Sequence, residues 1–285
     1  MSLQDVSLDA LIPAEMAAKA EAIGVKKANQ NWVSMFVLAV LAGAFISLGA
    51  IFSTTVVAGA GEMPYGLTRL LAGFVFSLGL ILVVVGGAEL FTGNNLIIMA
   101  WANGKVSTYL VLKNWLIVYF GNFVGAFATA GLMFLTGQYL FGSGAVGLAA
   151  LSIGNAKAGL AFVPAVALGV MCNALVCLAV WLTFSARTTT DRILAIIPPI
   201  TAFVAAGFEH SIANMYFIPI ALFIKGGASE SFWAPLGKTA GDFASLTWGN
   251  FLLNNLLPVT LGNIIGGAVL VGAVYWFVYL RASAK

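Results

Sequence analysis

The sequence predicts an all-α membrane protein with six transmembrane helices in an inverted 3+3 repeat, the second and fifth of them broken. Three observations carry that prediction. Of 285 residues, 61% are apolar and only 8% charged, and the mean hydropathy is +1.01; so little polar surface cannot solvate a globule. Apolar windows recur at or above the ~20 residues that cross a ~30 Å hydrocarbon core as a helix. Finally, the polar motifs that interrupt or follow these windows occur in pairs, one member in each half.

The windows fall at 33–58, 68–100, 109–136, 160–185, 193–223 and 248–280. Residues 1–32 precede them as a cytoplasmic amphipathic segment, lacking the basic start and apolar run of a signal peptide. Residues 281–285 form a short cytoplasmic tail. With the N-terminus inside, Lys19, Lys26, Lys27, Lys105, Lys113, Arg187, Arg192, Arg281 and Lys285 are cytoplasmic, against Arg69, Lys157, Lys225 and Lys238 outside. That excess favours both termini inside.

The second span contains GGAELFTGNN (86–95) and the fifth AAGFEHSIAN (205–214). Loosened backbone at membrane depth is tolerated only where protein buries it or it lines a wet cavity, so each interruption reads as a helix break on a pathway. NWLIVYFGNFVGA (114–126) aligns with NLLPVTLGNIIGG (255–267), placing Asn114 on Asn255, Gly121 on Gly262 and Asn122 on Asn263. GAELFTGN aligns with GFEHSIAN, placing Glu89 on Glu209 and Asn94 on Asn214. A duplicated unit of three spans follows. Because three is odd, the second copy inserts upside down and the two breaks meet near the midplane.

His210 is the single histidine, and it sits in the fifth-span break. It reads either as a structural imidazole bonded to loosened backbone or as a pathway group, and the cost of an ionisable group at this depth favours the pathway. No metal site is expected, since no second histidine or cysteine lies nearby in sequence. Glu89 and Glu209 occupy equivalent places and read as supports accepting hydrogen bonds from N–H groups freed at the breaks, with a proton relay as the alternative. Direct pairing of Glu209 with His210 is disfavoured, because helical neighbours point ~100° apart. Thr92, in the first break, would face His210 across a narrow lumen. Phe76, Leu80, Leu90, Phe91, Phe203 and Phe208 flank these two positions and either seal the lumen or pack against helices. Cys172 and Cys177, five apart in one span, face different sides and cannot pair with each other. No nucleotide loop, catalytic constellation or basic patch for nucleic acid is present in the sequence, so neither an enzyme nor a primary pump is expected, and no cofactor.

GGAELFTGNN, LGVMCNALVCLAVW (168–181), GFEHSIANM (207–215) and PVTLGNIIGG (258–267) together resemble the signatures of the formate/nitrite transporter family, most like its bacterial formate channels. The resemblance implies an aquaporin-like fold, a homopentamer in the bacterial cytoplasmic membrane embedded in lipid, and a separate pore in each protomer for formate and other small monovalent anions. The family's central histidine matches His210 and its partner threonine Thr92. Its outer constriction carries over to Phe76 and Phe203, and its inner one to Leu80, Phe91 and Val176. Its vestibule lysines match Lys27 inside and Lys157 outside, and Asn173 and Asn263 match polar pore positions or support the broken helices. The Thr-Gly-Asn-Asn of the first break departs toward nitrite and hydrosulfide relatives, which keeps those solutes, and formate/proton symport, as alternatives. The N-terminal helix would either fold under the inner mouth as a gate or lie on lipid.

An anion pays several kcal/mol to enter a dry apolar slit, so a neutral solute passes more easily. A proton from an imidazolium to a carboxylate travels uphill in water by about 3.5 kcal/mol, from reference values of ~6.5 and ~3.9. Low dielectric favours two neutral partners over an ion pair and narrows that gap.

Overall fold

A computed structural model describes residues 9–281; the start of the expected N-terminal segment and most of the tail, Lys285 included, lie outside the described residues. Among the described residues the chain is helical, without strands. Helix α1 (Pro13–Ala28) opens with proline in its first turn and the Glu15 carboxylate on the Ile12 N–H. Its buried stripe of Met16, Ala17, Ala20, Gly24 and Ala28 lies on protein, which docks the helix under the bundle. Asn31 then caps α2 (Trp32–Val57) by accepting from the Val33 and Ser34 N–H groups.

Helix α3 (Tyr65–Gly86) stops at Gly87, whose φ of +79° is left-handed backbone that glycine adopts without strain. After an extended stretch the chain restarts as α4 (Phe91–Asn94) and passes through a 3-10 turn into α5 (Ile98–Ala102). Helix α6 (Thr108–Leu135) completes the first half. Helix α7 (Ala145–Ala158) was not expected, since residues 137–159 lay between apolar windows. Helix α8 (Phe162–Ser185) follows, then α9 (Thr189–Ala206), which starts ahead of its apolar window because Thr188 and Asp191 form a capping box. It ends at Gly207, φ +79°, and the chain restarts as α10 (Ser211–Gly227), which bends by 102° into α11 (Glu230–Leu236). The last span, Asn250–Tyr279, contains α12 (Leu257–Ile264) and α13 (Val274–Tyr279) among π-helical stretches.

Among the described residues six helices are long and apolar enough to cross a membrane. In the first half α2 packs on α3 and α6; in the second, α8 packs on α9 and α12; α3 also crosses α9. Two glycines at matching positions allow close approaches. A Cβ on Gly125 would stand 1.9 Å from the Val40 carbonyl oxygen, and one on Gly266 would stand 2.1 Å from that of Val170. The same contact therefore occurs in both halves, and it draws each third span against its first.

Candidate functional site

The two breaks are built alike. Past Gly87, the Glu89 N–H reaches the Leu38 carbonyl at 3.2 Å; past Gly207, the Glu209 N–H reaches that of Leu168 at 3.3 Å. At each restart one asparagine takes up the freed groups. Asn122 Oδ1 accepts from the Phe91 N–H at 2.9 Å, while its Nδ2 donates to the Glu89 and Ala39 carbonyls at 2.9 and 2.8 Å. Asn263 Oδ1 accepts from the Ser211 N–H at 2.9 Å, while its Nδ2 donates to the Glu209 and Gly169 carbonyls at 3.0 and 2.8 Å. Both are fully buried. Of the two roles expected for Asn263, these hydrogen bonds are those of a broken-helix support, and Asn122, which repeat alignment pairs with it, makes the same set. Asn173 acts likewise, donating to the Thr92 and Asn263 carbonyls and to Asn95 Oδ1.

The expectation that Glu89 and Glu209 accept from freed backbone N–H groups does not hold, because the asparagines take that place. Instead each carboxylate holds a lysine. Lys27 Nζ donates to both Glu89 oxygens at 2.9 Å and to Asn94 Oδ1 at 3.0 Å. Lys157 Nζ donates to Glu209 Oε1 at 2.8 Å. Asn94 then links Glu89 to Asn114, and Asn214 links Glu209 to Asn255. Asn114 donates to the Lys27 carbonyl, and Asn255 to that of Lys157. A lysine paired at this distance has most of its field cancelled by its own glutamate. Glu209 is thus engaged with Lys157, not His210; neither residue is helical at the break.

His210 closes the second break as the N-cap of α10, an unusual residue in that place, with Nδ1 accepting from the Ala213 N–H at 3.1 Å. An Nδ1 that accepts must be unprotonated, so the neutral ring carries its proton on Nε2. Nε2 lies 3.1 Å from Thr92 Oγ1, joining the two breaks. At the expected outer constriction, Phe76 and Phe203 meet edge to face at 5.6 Å, with Phe203 stacked 6.0 Å from the imidazole.

Two cavities lie on either side of the breaks and share no lining residue; His210 lines one of them. One, on the side the sequence assigns to the outer face, has about 460 Å³ and is lined by Phe76, Phe203, His210, Glu209, Lys157 and Arg69. The other, on the side the sequence assigns to the inner face, has about 710 Å³ and is lined by Leu80, Leu90, Glu89, Lys27, Lys19, Lys26 and Arg192. Thr92, Phe91 and Val176 are buried and line neither cavity; Phe91 turns its ring against Tyr119, 5.0 Å away. Cys172 and Cys177 are buried free thiols, and the Cys177 thiol donates to the Thr92 carbonyl at 3.3 Å. Among the described residues no group of three His, Cys, Asp or Glu side chains could hold a metal ion.

Arg69 is a residue that sequence reasoning left among the exterior charges. It donates through Nε to the Ala205 carbonyl at 3.2 Å and through Nη2 to that of Val204, covering the open C-terminal end of α9. A lone arginine at the start of an apolar window was the available signal.

The formate/nitrite transporter family profile matches residues 14–277. The chain belongs to this family. Its curated relatives include the formate channel FocA of Escherichia coli K12, 47% identical over 98% of each chain. The formate channel FocA of Haemophilus influenzae is 40% identical, over 94% of this chain and 95% of the relative. A solved pentameric formate channel with formate bound superposes with a TM-score of 0.84 at 50% identity, covering 88% of this chain and 98% of the other. An FNT family ion channel superposes with a TM-score of 0.78 at 28% identity, over 93% and 98%. The formate/nitrite transporters are multi-pass membrane proteins that move solutes and are not enzymes, and this chain's six apolar helices with two breaks have the architecture of their solved channels.

Proposed function

We propose that this protein is a bidirectional channel for formate and related small monovalent weak-acid anions. It assembles as a homopentamer in the bacterial cytoplasmic membrane, with both termini cytoplasmic and a pore in each protomer. The observation that carries the reading is the His210–Thr92 pair, held at 3.1 Å between two cavities by two supported helix breaks. An apolar lumen with one imidazole and one hydroxyl offers a small oxyanion a hydrogen-bond donor and offers chloride no route to neutrality. The formate-channel relatives and the solved formate-bound pentamer support both solute and assembly.

The site also sets the terms of proton transfer. The resting tautomer donates a hydrogen bond through Nε2 but has no labile proton to give. His210 becomes an acid only after Nδ1 is protonated, and that requires the Ala213 N–H to release it. Imidazolium then passes its Nε2 proton to the anion's oxygen, and formic acid crosses the constrictions as a neutral solute. Acid outside therefore favours uptake.

The test is stopped-flow formate uptake into proteoliposomes across external pH, for wild type and His210→Asn, with chloride and glycerol as comparison solutes. Formate is expected to move in preference to both and faster in acid, with the variant losing the pH dependence while still assembling. A variant that keeps the full pH response returns His210 to a structural role. Saturable uptake against a formate gradient replaces the channel by a proton symporter, and faster nitrite or hydrosulfide flux reassigns the solute.

A further inference from the structure

The two mouths share one frame, and what they do not share isolates a second site. Lys27 and Lys157 hold equivalent ion pairs, and the registers of those pairs fix which residues correspond. Lys19 then falls on Ala149, Lys26 on Ala156 and Arg192 on Ala72. The outer copy builds its lysine–glutamate–asparagine network without those three cations, so that network does not need them.

All three line the inner cavity, together with Lys27, and the single acid in its lining, Glu89, is committed to Lys27. Lys19 donates to the Phe184 carbonyl at 2.7 Å, a neutral partner. Among the described residues neither Lys26 nor Arg192 has a carboxylate within ion-pair distance. Of the neighbouring groups, Arg187 donates to the Asp9 carbonyl and adds to the positive field; Asp191 accepts from the Arg187 and Thr188 N–H groups; Glu21 accepts from Asn103. Burial first, then the charges of Arg192 and Arg187, hold the Lys19 ammonium below its ordinary value. The cations therefore repel one another around a common space. The outer mouth's own extra cation, Arg69, likewise bonds only carbonyls, so that cavity has one cation beyond its ion pair against three in the inner one.

We propose that the inner vestibule binds a soluble cytoplasmic oligophosphate, an anion of three or more charges, which seats over the pore and stops flux from that face. The cavity's volume of about 710 Å³ lies within the ~300–1,000 Å³ of small-molecule sites. A Debye length of about 8 Å lets the converging charges act together on one polyanion, whereas a monovalent anion engages only a fraction of them. Arginine and lysine are the side chains that phosphate oxygens select. Leu80 and Leu90, each 2% exposed, give the cavity an apolar floor that a polyanion cannot pass. The positive-inside rule accounts for cations on this side of the membrane, but not for their convergence on one cavity.

As a block of formate flux the proposal rests on the channel reading, so binding and block are measured separately. Tripolyphosphate binding to the detergent-solubilised full chain is followed by calorimetry at constant ionic strength, with sulfate as comparison. Formate flux is then recorded in oriented phosphatidylcholine vesicles with tripolyphosphate on one face, each rate normalised to the same variant's uninhibited rate. Expected are saturable binding far tighter than that of sulfate, block from the cytoplasmic face alone, and at least a tenfold weaker effect in Lys26→Ala/Arg192→Ala, which installs the outer mouth's residues. No binding at millimolar concentration, binding equal to sulfate's, or equal affinity in the variant overturns the proposal whether or not formate moves. Binding without block overturns the plug and leaves the formate reading untouched. Lipid phosphate has the same chemistry, so the flux arm is repeated with phosphatidylglycerol. Slower basal flux that tripolyphosphate no longer alters would assign the site to lipid and overturn the soluble ligand.

Discussion

Lys157 is the residue at which chemistry and location pull apart. A lysine at a pore mouth suggests an anion trap, yet its ammonium lies 2.8 Å from a Glu209 carboxylate that is only 4% exposed. Removing one partner of such a pair leaves the other charge buried and uncompensated, at a cost of about 3–5 kcal/mol. Lys157→Met is therefore expected to lower the thermal transition of the detergent-solubilised assembly, and Glu209→Gln in the same chain to recover more than half of the loss. If Lys157 were simply a free attractor, the single variant would lose flux at low formate with an unchanged transition, and the second substitution would restore nothing. The asparagines show what sequence could and could not convey at this scale. Alignment placed Asn122 on Asn263, but only geometry assigns each one acceptor and two donors at a break. No side-chain pattern distinguishes a buried asparagine facing a lumen from one facing backbone.

Among the elements, close packing of the third span on the first decides how rigidly the breaks are held. Gly125 and Gly131 lie on the same helix and differ in what surrounds them. A Cβ on Gly125 meets the Val40 carbonyl oxygen at 1.9 Å, whereas one on Gly131 meets nothing closer than Phe223 at 3.9 Å. Gly125→Ala must push α2 from α6 and should destabilise by about 1–3 kcal/mol or more, while Gly131→Ala should stabilise by about 0.5–1 kcal/mol through helix propensity. Opposite shifts of the thermal transition would bear this out, and equal shifts would mean that the close contact carries no energy. The spans and breaks were legible because hydropathy marks long helices, and Gly-rich polar runs stand out within them. Helix α7 was not. Its fourteen residues, AVGLAALSIGNAKA, are too short to cross a bilayer and too poor in charge to show an amphipathic face, so only packing against α10 identifies it.

For the whole molecule, α7 changes the size of the repeating unit. Its Lys157 pairs with Glu209 as Lys27 in α1 pairs with Glu89, and an asparagine binds each lysine's carbonyl, although Lys27 also donates to Asn94. The duplicated unit is thus a short helix followed by three spans, and the N-terminal helix is one of its parts rather than an appendage. Sequence hid this because Lys19 and Lys26 stand where the second copy has alanine, so one helix reads as amphipathic and the other as a loop. A consequence separates a built-in helix from a detachable cover. Deleting residues 2–28 removes Lys27 from Glu89, a carboxylate 5% exposed, and the unpaired charge should cost about 3–5 kcal/mol. Glu89→Gln in the shortened chain should then raise its thermal transition, whereas Glu209→Gln, whose own lysine is still present, should lower it or leave it unchanged. A helix that merely covered the mouth would leave the transition intact on deletion and give both glutamine variants the same response; the two responses diverge only if α1 completes the first half as α7 completes the second.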